Sequence, residues 1–181
     1  MTAPAPLVYP LAGLLAEPAG TERRYDIHGA TIQLPDDLHL AEPIDGTVRI
    51  IRTNRGVYVD AKLSTAIDGQ CSRCLRDIEI PTNVEIHEAV LPRLDPLTGH
   101  RLDPSAEPDV ARLTDHHELD LEGPVREAIL LAEPIAPLCR EDCPGLCAVC
   151  GERLDDGTHD HPSDDIDPRL EALRSFKVED D

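Results

Sequence analysis

The chain has 181 residues, with 36 Asp and Glu against 17 Lys and Arg and a formal charge of −19. That length suits one domain with modest appendages, and that charge excludes the basic footprint with which nucleic-acid binders neutralise phosphates. Aromatic residues are 2% of the chain (Tyr9, Tyr25, Tyr58, Phe176, no Trp), which excludes a conventional base-stacking RNA-binding sheet.

The apolar share of 40%, mostly Ala, Leu, Ile and Val, supports a small core that calls for help from a metal or a partner. Acidity is uneven. Residues 91–181 hold 23 of the 36 acids but only 9 of the 17 bases. Such a surface either steers a basic protein toward it or keeps a small protein soluble.

In chain order, Leu7 to Leu15 is the nearest approach to an export signal, yet it follows no Lys or Arg and is broken by Pro10 and Gly13. No apolar run nears the roughly 18–20 residues that span a bilayer. Cytoplasmic residence without a membrane is the expectation. Val48 and Ile50, the turn residues Thr53-Asn54-Arg55-Gly56, and then Val57, Val59, Ala61 and Leu63 alternate with polar neighbours, which predicts a β-hairpin. After Cys71-Ser72-Arg73-Cys74, a third run places Ile78, Ile80, Val84 and Ile86 on one face. Pro81 cannot donate to a ladder, so this strand lies at an edge or starts nearby. The first cysteine pair therefore sits on a tight connection between two strands.

Residues 1–91 thus read as mainly β. Residues 92–118, with Pro92, Pro96, Gly99, Pro104 and Pro108 among acids, read as an acidic, mobile loop. Residues 119–177 read as a helix plus a cysteine-rich segment. Asp120 caps, Pro124 suits a first turn, and Leu121, Val125, Ile129 and Ala132 recur near the helical period until Pro134. Asp167-Pro168 opens a second short helix with Leu170 and Leu173 on its apolar face. The fold class is α+β, with an antiparallel β-sheet, open or closed like a barrel, in the N-terminal half, an amphipathic helix, and a C-terminal zinc-binding segment.

The cysteines fall as Cys71-x2-Cys74 and Cys139-x3-Cys143-x3-Cys147-x2-Cys150, followed by Gly151 and His159-x-His161. Two cysteines two residues apart bring both sulfurs within reach of one tetrahedral Zn²⁺ at about 2.3 Å. A glycine after the second cysteine lets backbone N–H groups close round the sulfur. The six cysteines with the two histidines make eight potential ligands, the number that two closed four-ligand sites require. The preferred split gives Cys147, Cys150, His159 and His161 to one ion and Cys71, Cys74, Cys139 and Cys143 to the other, pinning the C-terminal segment to the hairpin. A single site from Cys71, Cys74, Cys147 and Cys150, or from the four C-terminal cysteines, remains open. A redox pair at Cys71 and Cys74 lacks the expected βαβ context, and disulfides require an oxidising compartment.

A catalytic zinc keeps an open position beside a general base, as in His-x-Glu with Pro-Cys-x-x-Cys. The chain shows no such pattern, no phosphate-binding glycine loop, no Gly-x-Ser-x-Gly and no His-Glu-x-x-His. No enzyme activity is expected.

The run from Leu119 to Pro134, followed by Pro137-Leu138-Cys139-Arg140-Glu141-Asp142-Cys143-Pro144-Gly145-Leu146-Cys147-Ala148-Val149-Cys150-Gly151, resembles the YceD family in its cysteine-rich form, as do Cys71-Ser72-Arg73-Cys74-Leu75 and Asp167 to Leu173. The resemblance implies a ribosome-biogenesis factor, tied to 23S rRNA accumulation and large-subunit assembly. In cysteine-rich relatives the block tends to end in Cys-x-Cys, where this chain has His159-Asp160-His161; the paired exchange keeps ligand capacity and favours a metal role there. A Lys common before Gly-Leu-Cys in relatives is replaced by Pro144, which puts any contact made by that Lys in doubt.

Charge then favours action through a basic large-subunit ribosomal protein or a pre-ribosomal particle rather than bare rRNA. The alternatives are a thiol-redox or metal-handling protein and a direct rRNA-binding module. The latter would rest on Arg49, Arg52, Arg55, Lys62, Arg73 and Arg76 around the hairpin.

Overall fold

A computed structural model describes residues 7–35, 38–103, 105, 107–157, 161 and 169. Its elements are β1 (Val8–Pro10), α1 (Ala12–Leu15), β2 (Glu22–Ala30), β3 (Leu40–Arg52), β4 (Val57–Gln70), β5 (Asp77–Leu91), β6 (Ala111–Arg112), β7 (Glu118–Asp120) and α2 (Glu122–Ala132). This is an α+β arrangement. No helix among the described residues is long and apolar enough to cross a membrane.

The alternation of Val48 and Ile50 against Val57, Val59, Ala61 and Leu63 produces the β3–β4 hairpin, with Val48 opposite Ala61 and Ile50 opposite Val59. Its turn closes through Thr53 N–H donating to the Gly56 carbonyl at 2.9 Å. Because side chains alternate with period two, the whole apolar set lies on one face and is buried, while Tyr58 and Lys62 are exposed. Strand β5 extends the meander and pairs with all of β4, from Val57 opposite Val90 to Gln70 opposite Asp77. Thr82, Val84, Ile86 and Val90 are its buried positions. On its other side, among the described residues, β5 pairs only at Val90 and Leu91, so Pro81 lies in an edge segment.

The five-stranded sheet has the order β2-β3-β4-β5-β6. It is open, ending at β2 and β6 among the described residues, so the barrel alternative does not hold. β6 runs parallel to β5 and has only two residues. A two-residue ladder cannot carry the sheet round to β2.

Three segments differ from the sequence reading. The stretch near Leu7 forms β1, which pairs with β7, and Leu7, Tyr9, Leu11, Leu14 and Leu15 are buried. β2, which the alternation did not announce, flanks β3. Within residues 92–118 the chain turns at Asp95, whose carboxylate accepts from the backbone N–H groups of Leu97 and Thr98. It then bridges Leu94 to Arg101 and adds β6 and part of β7.

Helix α2 begins after Leu121, with Asp120 Oδ1 accepting from Glu122 N–H at 2.9 Å. Leu121, Val125 and Ile129 are buried in the core that lines the sheet, as the 3.6-residue period requires. Ala132 is exposed, because the helix ends at that residue. The second helix expected from Asp167 lies outside the described residues.

Candidate metal centre

The two C-x-x-C segments are built alike. In the first, Cys71 N–H donates to the Arg76 carbonyl at 2.8 Å and Leu75 N–H donates to the Cys71 carbonyl at 2.9 Å. In the second, Cys147 N–H donates to the Glu152 carbonyl at 2.7 Å and Gly151 N–H donates to the Cys147 carbonyl at 2.9 Å. The residue after the second cysteine takes a left-handed backbone in both, with φ of 55° at Leu75 and 74° at Gly151. Each loop thereby turns its two thiols to one side and aims backbone N–H groups at sulfur.

These loops place the sulfurs in two groups. Cys71, Cys74, Cys139 and Cys143 have all their Sγ atoms within 4.8 Å of one another; Cys147 and Cys150 stand likewise with a ring nitrogen of His161. The groups coincide with the preferred split drawn from spacing, except that His159 lies outside the described residues. Cys71 Sγ lies 3.8 Å from Cys143 Sγ and Cys74 Sγ lies 3.7 Å from Cys139 Sγ. A disulfide needs about 2.05 Å, whereas a tetrahedron with metal–sulfur arms of about 2.3 Å has sulfur–sulfur edges of about 3.8 Å. The donor set and its dimensions fit a four-thiolate metal site. In the second group Cys147 Sγ lies 3.1 Å from His161 Nε2. Both groups are able to hold a metal ion.

The first group is buried, with Cys71, Cys74 and Cys143 at 2% exposure or less. Burial opposes ionisation, and each loop offsets it at one sulfur. Backbone N–H donation, first from Cys74, brings Cys71 down to about 6. Donation first from Cys150, then from Val149, does the same for Cys147, also to about 6. Burial, reinforced by neighbouring sulfurs, pushes Cys139 up to about 12 and raises Cys143 as well. Four thiols so close cannot all ionise without a cation among them, and a metal ion supplies that charge.

Two arginines fasten the C-terminal segment to the first loop. Arg73 Nη1 donates to the carbonyls of Glu141 and Cys143, and Arg153 donates from Nε and Nη2 to the carbonyls of Cys74 and Leu75. A direct backbone bond adds to them, Ser72 N–H to the Pro137 carbonyl at 2.8 Å. Gly145, with φ of 83°, passes so close that a Cβ there would meet the Arg73 carbonyl at 3.3 Å. By sequence Arg73 reads as one of the six hairpin bases of the rRNA-binding alternative, and Arg153 is not singled out. The one available signal was their position inside or just beyond a C-x-x-C loop.

The remaining hairpin bases are also engaged within the chain. Arg49 bonds Asp60 at 2.8 Å, Lys62 pairs with Glu85 at 3.2 Å, and Arg76 pairs with Asp156 at 3.6 Å. Arg55 binds both carboxylate oxygens of Glu107, and Arg52 donates to the carbonyls of Leu15, Thr53 and Gly56. The six do not form an unpaired cationic face.

The family profile described as Large ribosomal RNA subunit accumulation protein YceD matches residues 59–177, which takes in both metal groups. An uncharacterised protein of Mycobacterium tuberculosis (strain H37Rv) is 34% identical over 130 residues, 72% of this chain and 60% of the relative. An uncharacterised protein of Mycobacterium bovis shows the same identity and coverage. One of Mycobacterium leprae is 30% identical over 128 residues, 70% of this chain and 55% of the relative. The chain thus spans a little over half the length of these curated relatives. No solved structure matches. The match runs from β4 through the helix and both cysteine groups, and on that ground the chain belongs to the YceD family, described as the large ribosomal RNA subunit accumulation protein.

Proposed function

We propose that this chain is a non-enzymatic ribosome-biogenesis factor that supports 23S rRNA accumulation and large-subunit assembly by engaging a basic ribosomal protein, free or in a pre-ribosomal particle, in the cytoplasm. The observation that carries this reading is the internal engagement of all six hairpin bases in a chain of net charge −19. Bare rRNA would meet net repulsion there, whereas a Lys/Arg-rich protein would be steered in. The family description supplies the ribosomal context.

In this reading the metal is zinc and its role is structural. Thiolates and imidazole are soft enough to select it. Cys71, Cys74, Cys139 and Cys143 close a tetrahedron with no position left for water, as structural sites do. Cys147, Cys150 and His161, with His159 as fourth ligand, make the second site.

Purified chain is immobilised and offered the total proteins of the large subunit, and separately protein-free 23S rRNA, at low salt. Retention of Lys/Arg-rich proteins that raised salt releases is the expected result. Retention of naked rRNA with no ribosomal protein would overturn the reading. Elemental analysis should return two zinc ions per chain, falling to one in both Cys143→Ser and Cys147→Ser. A metal-free chain with freely alkylated thiols would favour the redox alternative.

A further inference from the structure

Outside the hairpin, the segment after β5 gathers three arginines at one cavity. The cavity, of about 380 Å³, is lined by Arg93, Arg101, Leu102, Pro108, Val110 and Arg112. Half of those residues are arginines and none is an acid, in a chain where acids outnumber bases by 36 to 17.

Three separate backbone features bring the arginines together. Arg93 lies two residues past the end of β5, after Pro92. Arg101 is held opposite Leu94 by the bridge that closes the Asp95 turn, and Leu102 N–H donates to the Arg93 carbonyl at 2.9 Å. Arg112 lies on β6, in parallel register with Leu91. Arg101 is oriented by Asp115 at 3.0 Å, and Arg112 Nη2 donates to the Glu107 carbonyl at 3.3 Å. The Arg93 side chain has no ion pair or hydrogen bond among the described residues. Each guanidinium carries five N–H donors in a planar fork, so all three keep donors free. Nearby carboxylates balance two of the three in part: Asp115 pairs with Arg101, and Asp103 and Glu107 lie close enough to attract Arg112, whereas Arg93 has none among the described residues. Glu107 is also paired with Arg55, and Asp103 accepts from Ser105 N–H.

Arg93 is without a counter-charge and Arg101 and Arg112 are only partly balanced by exposed acids, so an anion bound among the three is attracted there. The forked geometry of arginine matches phosphate oxygens two at a time. The cavity also exceeds what a bare oxyanion fills, and Leu102, Pro108 and Val110 give it an apolar wall, the mixture typical of small-molecule sites. We propose that Arg93, Arg101 and Arg112 hold the phosphate of a nucleotide whose sugar or base lies against Leu102, Pro108 and Val110. The nucleotide is either free or a single residue of an RNA strand. A local site of this kind is compatible with net charge −19, because it takes one phosphate rather than a tract of backbone. It stands independently of the basic-partner reading, whose readout is capture of ribosomal proteins.

The test titrates the full chain at about 50 mM salt, where phosphate contacts are strong, with inorganic phosphate, adenosine 5′-monophosphate and a short oligoadenylate, read by calorimetry. The monophosphate should bind about tenfold more tightly than phosphate, a difference of about 1.4 kcal/mol. Arg93→Ala, at an exposed position with no partner to disturb, should weaken it by about tenfold. Arg93→Lys should restore part of the loss. Oligoadenylate binding tighter than the monophosphate assigns the site to RNA, and equal binding assigns it to the free nucleotide. No binding by the unaltered chain, phosphate binding as tight as the monophosphate, or an equal loss in Arg49→Ala, which lines a different cavity, would each overturn the proposal.

Discussion

Leu75 and Gly151 occupy the same place in the two cysteine loops, and the left-handed backbone there is what brings their N–H groups onto the Cys71 and Cys147 carbonyls. For a residue with a Cβ that conformation costs about 1–2 kcal/mol; for glycine it costs nothing. No atom lies within 4 Å of a Cβ built at Gly151, so a side chain there meets only the backbone penalty. Gly151→Ala should therefore lower metal affinity at the second site about fivefold, equivalent to about 1 kcal/mol, in a chelator competition. Leu75→Gly should leave the first site as tight or tighter, since Leu75 is 49% exposed and gives up little packing. Weaker metal binding in that variant would mean that Leu75 holds the loop by contact. Glu88 presents a second single-residue case. It faces inward from β5 opposite Val59, and burial, then the nearby Glu127 carboxylate, raises its pKa. A raised acid pKa means that the native chain holds the proton at a pH where the unfolded chain has released it, so this contribution to stability declines as pH rises through the interval. Glu88→Gln should flatten that decline and stabilise the chain by up to about 0.5 kcal/mol near neutrality, measured as denaturation midpoints across pH.

Residues Leu7 to Leu15 close the sheet's core from a distance of more than a hundred residues. Leu11 N–H donates to the His117 carbonyl at 2.9 Å and Leu121 N–H to the Leu7 carbonyl at 3.0 Å, so β1 and α1 are laid against the start of α2. Leu11 is completely buried. Leu11→Ala should cost about 2–5 kcal/mol, whereas Leu131→Ala at the exposed end of α2 should change stability by less than about 0.5 kcal/mol; urea denaturation of both variants checks the pair. This strap was illegible in sequence because β1 has three residues, too few to show a period, and its partner β7 is as short. β2 escaped notice for another reason. Of its nine residues only Ile27 and Ala30 are buried, and the half-buried Arg23 and Tyr25 complete the inner face with amphipathic stems rather than aliphatic groups. The β3–β4–β5 meander was legible because one packed face imposes alternation along most of its length. The cysteine groups were legible because ligand spacing is set locally by the loop. What spacing along the chain does not reveal is which distant acid meets which base. Arg55 finds Glu107 and Arg76 finds Asp156, while the three cavity arginines gather in the segment that composition marked as featureless loop.

At the scale of the molecule, the described residues form two apolar clusters that share no residue. One lines the sheet and includes β1, α1 and α2; the other consists of Cys71, Cys74 and Cys143, with Ile78 and Cys139 packed beside it. The C-terminal segment is held mainly to the second cluster, through the sulfurs and the bonds from Arg73, Arg153 and Ser72. Buried thiolates left without a cation cannot all stay ionised, so metal bound there is folding free energy for that segment. The sheet core owes nothing to it directly. Stripping the metal with a strong chelator should then free the amides of Ser72, Leu75, Cys147 and Leu154 to exchange with solvent, while those of Val48, Val59 and Ile86 stay protected. Lowering the pH should give the same pattern, because protons compete with metal for every thiolate. Loss of protection in the sheet as well would show that the cysteine cluster stabilises the whole fold. Unchanged protection at Leu75 and Leu154 would show that hydrogen bonds alone hold the segment. The first outcome also bears on function, since residues 91–181 carry 23 of the 36 acids. If metal removal detaches the segment and abolishes salt-sensitive capture of basic ribosomal proteins together, the zinc sites serve to present the acidic surface in a fixed shape. Capture that survives detachment would leave charge alone responsible.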